Sequence, residues 1–351
     1  MKKSTKVVLG ISAGLILLGG VLAAAGYAMA GGNIGVYYSN GQLYHNGRAG
    51  AVVSRTVETG RFTSLDITAD LAGVKMIASD HYGVEYRLAT AGREPVCRVT
   101  GDGALYFDQS GDWDGGGGSI NLFGWRGRGW KDAGEQYLHI YYPADVEFDQ
   151  VKIEVGAGDL KLKDLAVKGK VELEVNLGEL TVENVTTGLL DAETNAGGAR
   201  LSGVRARTLS VESDLGSIEL DNVTAEQTTV SASSGSTAIS GGSLGKTELD
   251  SNFGEIKVKG AKTGELSVDC DSGSIDLEGE FAGNIEVSSD FGSVSLRSSL
   301  PASDYNLDLQ TDFGSVRLDG AKQENPCVKD SGGRYRLSVE NSSGDIDVKF
   351  G

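Results

Sequence analysis

Cysteine, histidine, proline and positive charge are all scarce in this sequence, and each scarcity removes a class of protein. The three cysteines (Cys97, Cys270, Cys327) and three histidines (His45, His81, His139) stand far apart, with no CxxC pair and no Cys/His cluster, so no metal site is expected. One disulfide outside the cell can be accommodated, but the spacing does not say which. Four prolines stand against 52 glycines. Without a three-residue period, that balance means many turns and not a triple helix. Lys and Arg total 32 against 49 Asp and Glu, a net charge of −17. Such a surface repels nucleic acid and anionic lipid headgroups and suits a solvated domain. Wholesale disorder is excluded, because 39% of residues are apolar and recur throughout.

The N-terminus differs in kind from the rest. Lys2, Lys3 and Lys6 precede an uncharged run from Val7 to Ala30, long enough to span a hydrocarbon core that needs about 20 residues. Ala28-Met29-Ala30 looks like a signal-peptidase site, but signal peptides have apolar regions of only about 7–15 residues. A retained anchor is therefore expected over residues 7–30, with 1–6 cytoplasmic by the positive-inside rule and the remainder extracytoplasmic. No cysteine follows the apolar run where a lipoprotein would need one.

Internal repetition settles the architecture. Aligned on one glycine per unit, the chain gives Gly158, Gly178, Gly197, Gly216, Gly235, Gly254, Gly273, Gly292, Gly314 and Gly344, at intervals of 20, then 19 six times, then 22 and 30. Around each lies a twelve-residue core such as VELEVNLGELTV at 171–182 or IEVSSDFGSVSL at 285–296. Apolar and polar residues alternate with period two, the strand period. The apolar parity changes across the glycine, since five residues separate Val175 from Leu180. That odd offset needs a bend or bulge, and glycine suits it by tolerating positive φ. Two short strands cannot bury their own apolar side, so successive units must stack, each strand pairing with its copy one coil on. Connectors such as ENVTTGL at 183–189 and DNVTAEQ at 221–227 lack the NG or DG signature of hairpins. The expected fold is all-β: a single-chain parallel β-solenoid (β-helix or roll) of about ten 19–20-residue coils, on the order of 50 Å long, with an N-terminal β cap and one preceding transmembrane helix.

Two columns of the repeat carry further expectations. The residue before each glycine runs Ala157, Leu177, Ala196, Leu215, Ser234, Phe253, Ser272, Phe291, Phe313, Ser343. Large and small alternate until Phe313. Inward packing at a narrow corner is the expectation, and an outward ladder used for binding is the rival. Glu154, Glu174, Glu193, Glu212, Asp250 and Asp269 occupy equivalent outward positions. Calcium would relieve their repulsion, but the nonapeptide of calcium β-rolls is missing. Screening by water and neighbouring cations is the expected outcome, and no cofactor is called for.

Residues 31–52 read as a linker, 53–150 as the β cap, and 151–351 as the solenoid. The cap carries a glycine- and tryptophan-rich insertion at 111–130, whose Trp113, Trp125, Arg126, Arg128 and Trp130 make it the candidate contact loop. Residues 319–336 lengthen the last connector and are positioned to fold over the terminal coil. The chain then ends on its last strand, an edge that would allow homotypic association if left open.

The anchor, the FTSLDIT opening, the YYPADVEFDQVKIEVGAGDLKL junction at 141–162 and the repeated xxG[SDE][IVL]x[IVL] coils resemble the bacterial "putative adhesin" family of membrane-anchored β-solenoid proteins, over roughly residues 53–351. The resemblance implies an extracytoplasmic, non-enzymatic role and carries no active-site motif. The expected function is a cell-surface binding or structural module, adhesin-like or envelope-sensing, with a cell-wall glycan or surface protein as partner. The competing reading is a polysaccharide-active β-helix enzyme. Such an enzyme needs two carboxylates across a cleft, whereas the carboxylates here follow the repeat and all three histidines lie outside it.

Overall fold

The computed structural model describes residues 36–39, 42–45, 51–90, 94–109 and 135–351. The expected anchor at 7–30 lies outside these, and among the described residues no helix is long and apolar enough to cross a membrane. Within the expected linker, Val36–Ser39 and Gln42–His45 pair as an antiparallel hairpin.

The remaining described strands form one long, mostly parallel sheet wound into coils. A typical coil has a long strand (Lys170–Leu177), the glycine corner at Gly178, a short strand (Leu180–Glu183) and a second corner at Asn184. Val171, Leu173 and Val175 point inward before the glycine, and Leu180 and Val182 after it, so the predicted change of parity is present. Each buried Val or Leu contributes about 1.5–3 kcal/mol relative to exposure. Since the inward residues stack in register, from Leu173 to Ala192 to Val211 to Val230 to Leu249, the core is continuous along the coils.

The glycine corner is tighter than a demand for positive φ would make it. Gly197 sits at φ 145°, and a β carbon there would lie 1.8 Å from the carbonyl oxygen of Gly178, one coil below. Gly216 lies outside the left-handed window, yet its β carbon would still come within 2.0 Å of the Gly197 oxygen. Stacked backbone, more than torsion, reserves this column for glycine. The second corner has its own column, which the glycine-based repeat does not reveal. Asp164, Asn184, Gly203, Asn222, Gly241 and Gly260 all adopt φ between 51° and 66°, the region where Asn, Asp and Gly are favoured. Stacking also accounts for Cys270: it is inward, buried, and in register between Ser251 and Ser289. All three cysteines are free thiols.

At both ends, spatial order departs from chain order. Ser64–Leu71 and Gly73–Ser79 pair in parallel with Gln150–Ala157 and Leu160–Lys163. They pair on their other side with Ala104–Asp108 and Tyr137–Pro143. The segment 53–150, expected to fall outside the repeat as a cap, therefore contributes coils of its own, and the first coil in sequence is second in space. The C-terminal end mirrors this. Ile285–Phe291 pairs with Tyr335–Ser343, not with the next strand in sequence, and Tyr335–Ser343 pairs in turn with Tyr305–Phe313. The final strand, Ile346–Phe350, likewise lies between Val294–Ser298 and Val316–Leu318.

The condition for association through the C-terminal strand is not met, because that strand is paired on both sides. The outermost coil, 305–318, is covered by the lengthened connector. Cys327–Lys329 pairs antiparallel with Leu307–Leu309, and Ala321–Lys322 with Arg317–Leu318. Between them the Asn325 side chain accepts from the Thr311 amide (3.1 Å) and donates to its carbonyl, as a strand would. Val96–Val99 covers Ala104–Asp108 in the same antiparallel way at the other end. Antiparallel cover at both ends blunts the edges that would otherwise template association.

The intercalation is directly testable. Ser288 is in register with Glu340, and Glu340 with Gln310. Neighbouring strands lie about 4.8 Å apart, within disulfide reach, and next-but-one strands about 9.6 Å, beyond it. Paired Ser288→Cys and Glu340→Cys are expected to cross-link on mild oxidation, and Ser288→Cys with Gln310→Cys to stay reduced, as read by peptide mapping. The reverse pattern would restore simple chain order.

Candidate functional site: an exposed apolar ladder beside unpaired carboxylates

The column before the repeat glycine does not pack inward. Leu215 is 61% exposed, Phe253 and Phe291 are each 64%, and Phe313 is 78%. The expectation of a filled corner is therefore overturned in favour of the outward ladder. The reason lies in the bend. Asn176 and Leu177 both turn away from the core before Gly178, so the residue next to the glycine is carried outside. The break in alternation at Phe313 also disappears in space. With 335–343 intercalated, the column reads Leu71, Ala157, Leu177, Ala196, Leu215, Ser234, Phe253, Ser272, Phe291, Ser343, Phe313. Large side chains recur every second coil, about 9.6 Å apart, with Ala or Ser between them as notches.

Because the rungs are solvated, removing one costs little. Phe253→Ala is expected to change stability by no more than about 1 kcal/mol, since surface substitutions are usually small. A thermal melt checks this. A loss comparable to that of a core phenylalanine, about 3–5 kcal/mol, would return the column to the core.

Two acidic columns run beside the ladder. Two residues ahead of the glycine stand Asp214, Asp271, Asp290 and Asp312, interrupted by Ser233, Asn252 and Ser342. Four ahead stand Glu154, Glu174, Glu193 and Glu212, then Asp250 and Asp269, in coil-to-coil register except at Ser231. Partial burial and then the neighbouring Glu174 push the Glu154 carboxyl up. Burial followed by Glu174 and Glu212 does the same at Glu193, and burial followed by Asp269 at Asp250. The short-strand side is arranged differently. There Lys161 and Lys163 meet Glu183, Arg200 meets Glu219 at 2.8 Å, and Arg297 meets Glu278 at 3.1 Å.

These shifts give a pH dependence with a definite sign. A carboxyl raised in the folded state binds protons that the unfolded chain does not, so stability from Glu154, Glu193 and Asp250 grows as pH falls toward their ordinary values. Glu183 is held low by hydrogen bonds from Lys163 and Lys161, and Glu219 by Arg200. Their contribution is lost only as pH falls further, through those lowered values. In low salt the melting temperature should rise between about pH 7 and pH 5, then fall below about pH 4. A monotonic decline from pH 7 would show that the ladder carboxylates are not mutually strained.

Among the described residues, no group of three or more His, Cys, Asp or Glu converges as metal ligands do, and the acidic columns run as lines, not cages. A second surface cluster is invisible in the sequence because its parts are distant in the chain. Strands Gly83–Thr90 and Tyr137–Pro143 bring Glu85 to Tyr137 and Tyr141, whose hydroxyls donate to it at 2.8 and 2.9 Å. These two bonds hold the Glu85 carboxyl below its usual range. His139 stacks on Tyr137 with centroids 4.4 Å apart. Antiparallel pairing across 52 residues is the one signal, and it is not local. The predicted contact loop, with Trp113, Trp125, Arg126, Arg128 and Trp130, lies outside the described residues.

No curated protein matches the chain. Among solved structures it is similar to a "putative adhesin" from Bacteroides fragilis, at 12% identity and TM-score 0.39, covering 86% of this chain and 97% of the other. It is also similar to a "putative cell adhesion protein" from Clostridium sporogenes, at 11% identity and TM-score 0.19, covering 86% and 100%. Residues 62–298, and in an overlapping match 204–349, fit the family described as Toastrack DUF4097, which spans the coils from the first to the last, and the chain belongs to that family.

Proposed function

We propose that this protein is a membrane-anchored, extracytoplasmic binding module without enzymatic activity, and that the ladder of Leu215, Phe253, Phe291 and Phe313 is its recognition surface. The observation that carries the reading is the exposure of these large apolar side chains in one regular column. Apolar side chains scattered singly over a surface need no explanation, whereas four set in register at alternate coils make an ordered surface of the kind a contact site uses. A stacked scaffold presents such a column as an extended face suited to an extended partner. The chemistry of the repeat supports binding over turnover. Among the described residues the ladder carboxylates recur coil after coil in lines, whereas glycoside hydrolysis canonically uses two carboxylates facing each other across a cleft.

The test is retention of the full chain on envelope fractions, comparing wild type with Phe253→Ser, Phe291→Ser and Phe313→Ser combined. Each replacement matches the serine that alternate coils already carry, so circular dichroism should stay unchanged while retention falls by about tenfold or more. Equal retention by a folded triple variant would sink the proposal.

A further inference from the structure

We infer that the ladder takes a basic polypeptide in the extended, three-residue-per-turn polyproline conformation, with apolar residues meeting the rungs and lysines or arginines meeting the adjoining carboxylates. The inference deepens the binding role proposed above and rests on it.

The first ground is spacing. Rungs recur every second coil, about 9.6 Å. A polyproline helix rises about 3.1 Å per residue with three residues per turn, so one side of it repeats every ~9.3 Å. Over the three intervals from Leu215 to Phe313 the accumulated mismatch is only about one ångström. A β-strand presents the same face every second residue, at about 6.7 Å, and falls out of step after one rung. An α-helix meets the spacing with neither one turn nor two, at about 5.4 and 10.8 Å. The notches at Ser234, Ser272 and Ser343 leave room between rungs, and docking of this conformer between apolar or aromatic side chains is an established mode of recognition.

The second ground is charge. Asp250, Asp269, Asp271, Asp290 and Asp312 flank the phenylalanine rungs, and among the described residues none of them forms an ion pair. Glu183, Glu219 and Glu278 on the short strands, by contrast, each meet a lysine or arginine of an adjacent coil. Like charges stacked along a sheet are unfavourable, and a ligand bearing one cation per rung relieves them. An anionic polymer is repelled. A second copy of this chain is repelled as well, because face-to-face ladders would set carboxylate against carboxylate. A neutral glycan would stack on rings, but one rung of the four is leucine, and a glycan would leave the charge unanswered.

The experiment uses the full chain and a fluorescent synthetic peptide of repeated Leu-Lys-Pro triplets, read by anisotropy at low salt. Binding is expected, weakened about tenfold or more by Phe253→Ser with Phe291→Ser. A similar loss is expected from Asp250→Asn with Asp271→Asn and Asp290→Asn, and from raising salt to about 0.5 M. Leu-Glu-Pro and Ser-Lys-Pro peptides should bind at least about tenfold more weakly than Leu-Lys-Pro. Failure of Leu-Lys-Pro to bind, equal binding of Leu-Glu-Pro, or preference for a neutral β-linked glucan oligomer each overturns the inference. If the serine variant also leaves envelope retention unchanged, the binding role fails with it. If retention falls while the peptides do not discriminate, only the partner assignment fails.

Discussion

Replacing Gly197 with alanine is expected to destabilise the coil stack by about 3–5 kcal/mol. The added β carbon would lie 1.8 Å from the Gly178 oxygen and 2.7 Å from its carbonyl carbon. The obstructing atoms are backbone, so no rotamer change relieves the clash. Gly178 cannot retreat, because its own corner is packed against Gly158. Relief requires the two coils to part, which strains the bonds from the Gly178 amide to the Ala196 carbonyl (3.1 Å) and from the Leu180 amide to the Gly198 carbonyl (3.0 Å). The backbone at φ 145° adds torsional strain of about 1–3 kcal/mol for any residue with a β carbon. In a stack held by nearest-neighbour interfaces, the damage should centre on the coils either side of Gly197. Urea denaturation gives the magnitude and amide exchange the location. Gly260→Ala is the control, since Gly260 has φ 66° but nothing within 4 Å of its added β carbon, and about 1 kcal/mol is expected. Equal losses at the two sites would mean that torsion alone, and not stacking, governs the glycine column.

The period of the coils was legible because every inward side chain repeats a local pattern. Val171, Leu173 and Val175 alternate before the glycine, Leu180 and Val182 after it, and the same pattern recurs 19 residues later. The direction of the residue before the glycine was not legible. Apolar character suggested burial, but a bend at Asn176-Leu177, kept in register from coil to coil, decides orientation there, and a bend leaves no trace in hydrophobicity. The break in alternation at Phe313 was in fact a signal. Large beside large in sequence meant that the two coils are not neighbours in space, and Ser343 belongs between Phe291 and Phe313. The Asx and glycine corner, from Asp164 to Gly260, was equally present at the repeat period. Hairpin signatures do not reveal it, because these corners turn on one left-handed residue, joined by a second at Gly242, and lead into a parallel and not an antiparallel strand.

The candidate site was legible in its parts and not in its meaning. The phenylalanine column and the acidic column each stand out in an alignment of the repeats, but only the folded coil shows that both face solvent on the same side of the glycine. The grouping of Glu85, Tyr137, His139 and Tyr141 lay beyond reach, since it depends on a strand pairing across about fifty residues with the insertion between.

Intercalation also sets how the C-terminal end should fail. Val339 is fully buried and in register between Val287 and Leu309. Val339→Asp places a carboxylate where the three coils meet, with no cation or donor to receive it, at an expected cost of about 4–5 kcal/mol. Chain order would predict that only the last coil, 335–350, comes loose. The observed order predicts more, because 305–318 reaches the rest of the sheet through 335–350. Amide exchange should therefore show 305–318 and 335–350 losing protection together, while 170–278 keeps it, as expected of a stack whose coils contact only their neighbours. Leu309→Asp should behave in the opposite way, releasing 305–318 and leaving 335–350 seated against Ile285–Phe291 and Val294–Ser298. The asymmetry between the two variants is the decisive quantity. Protection retained at 305–318 in Val339→Asp would mean that the two coils can trade places on the 285–298 edge, and the seating of the last strand would then be a preference of packing, not the fastening of that end.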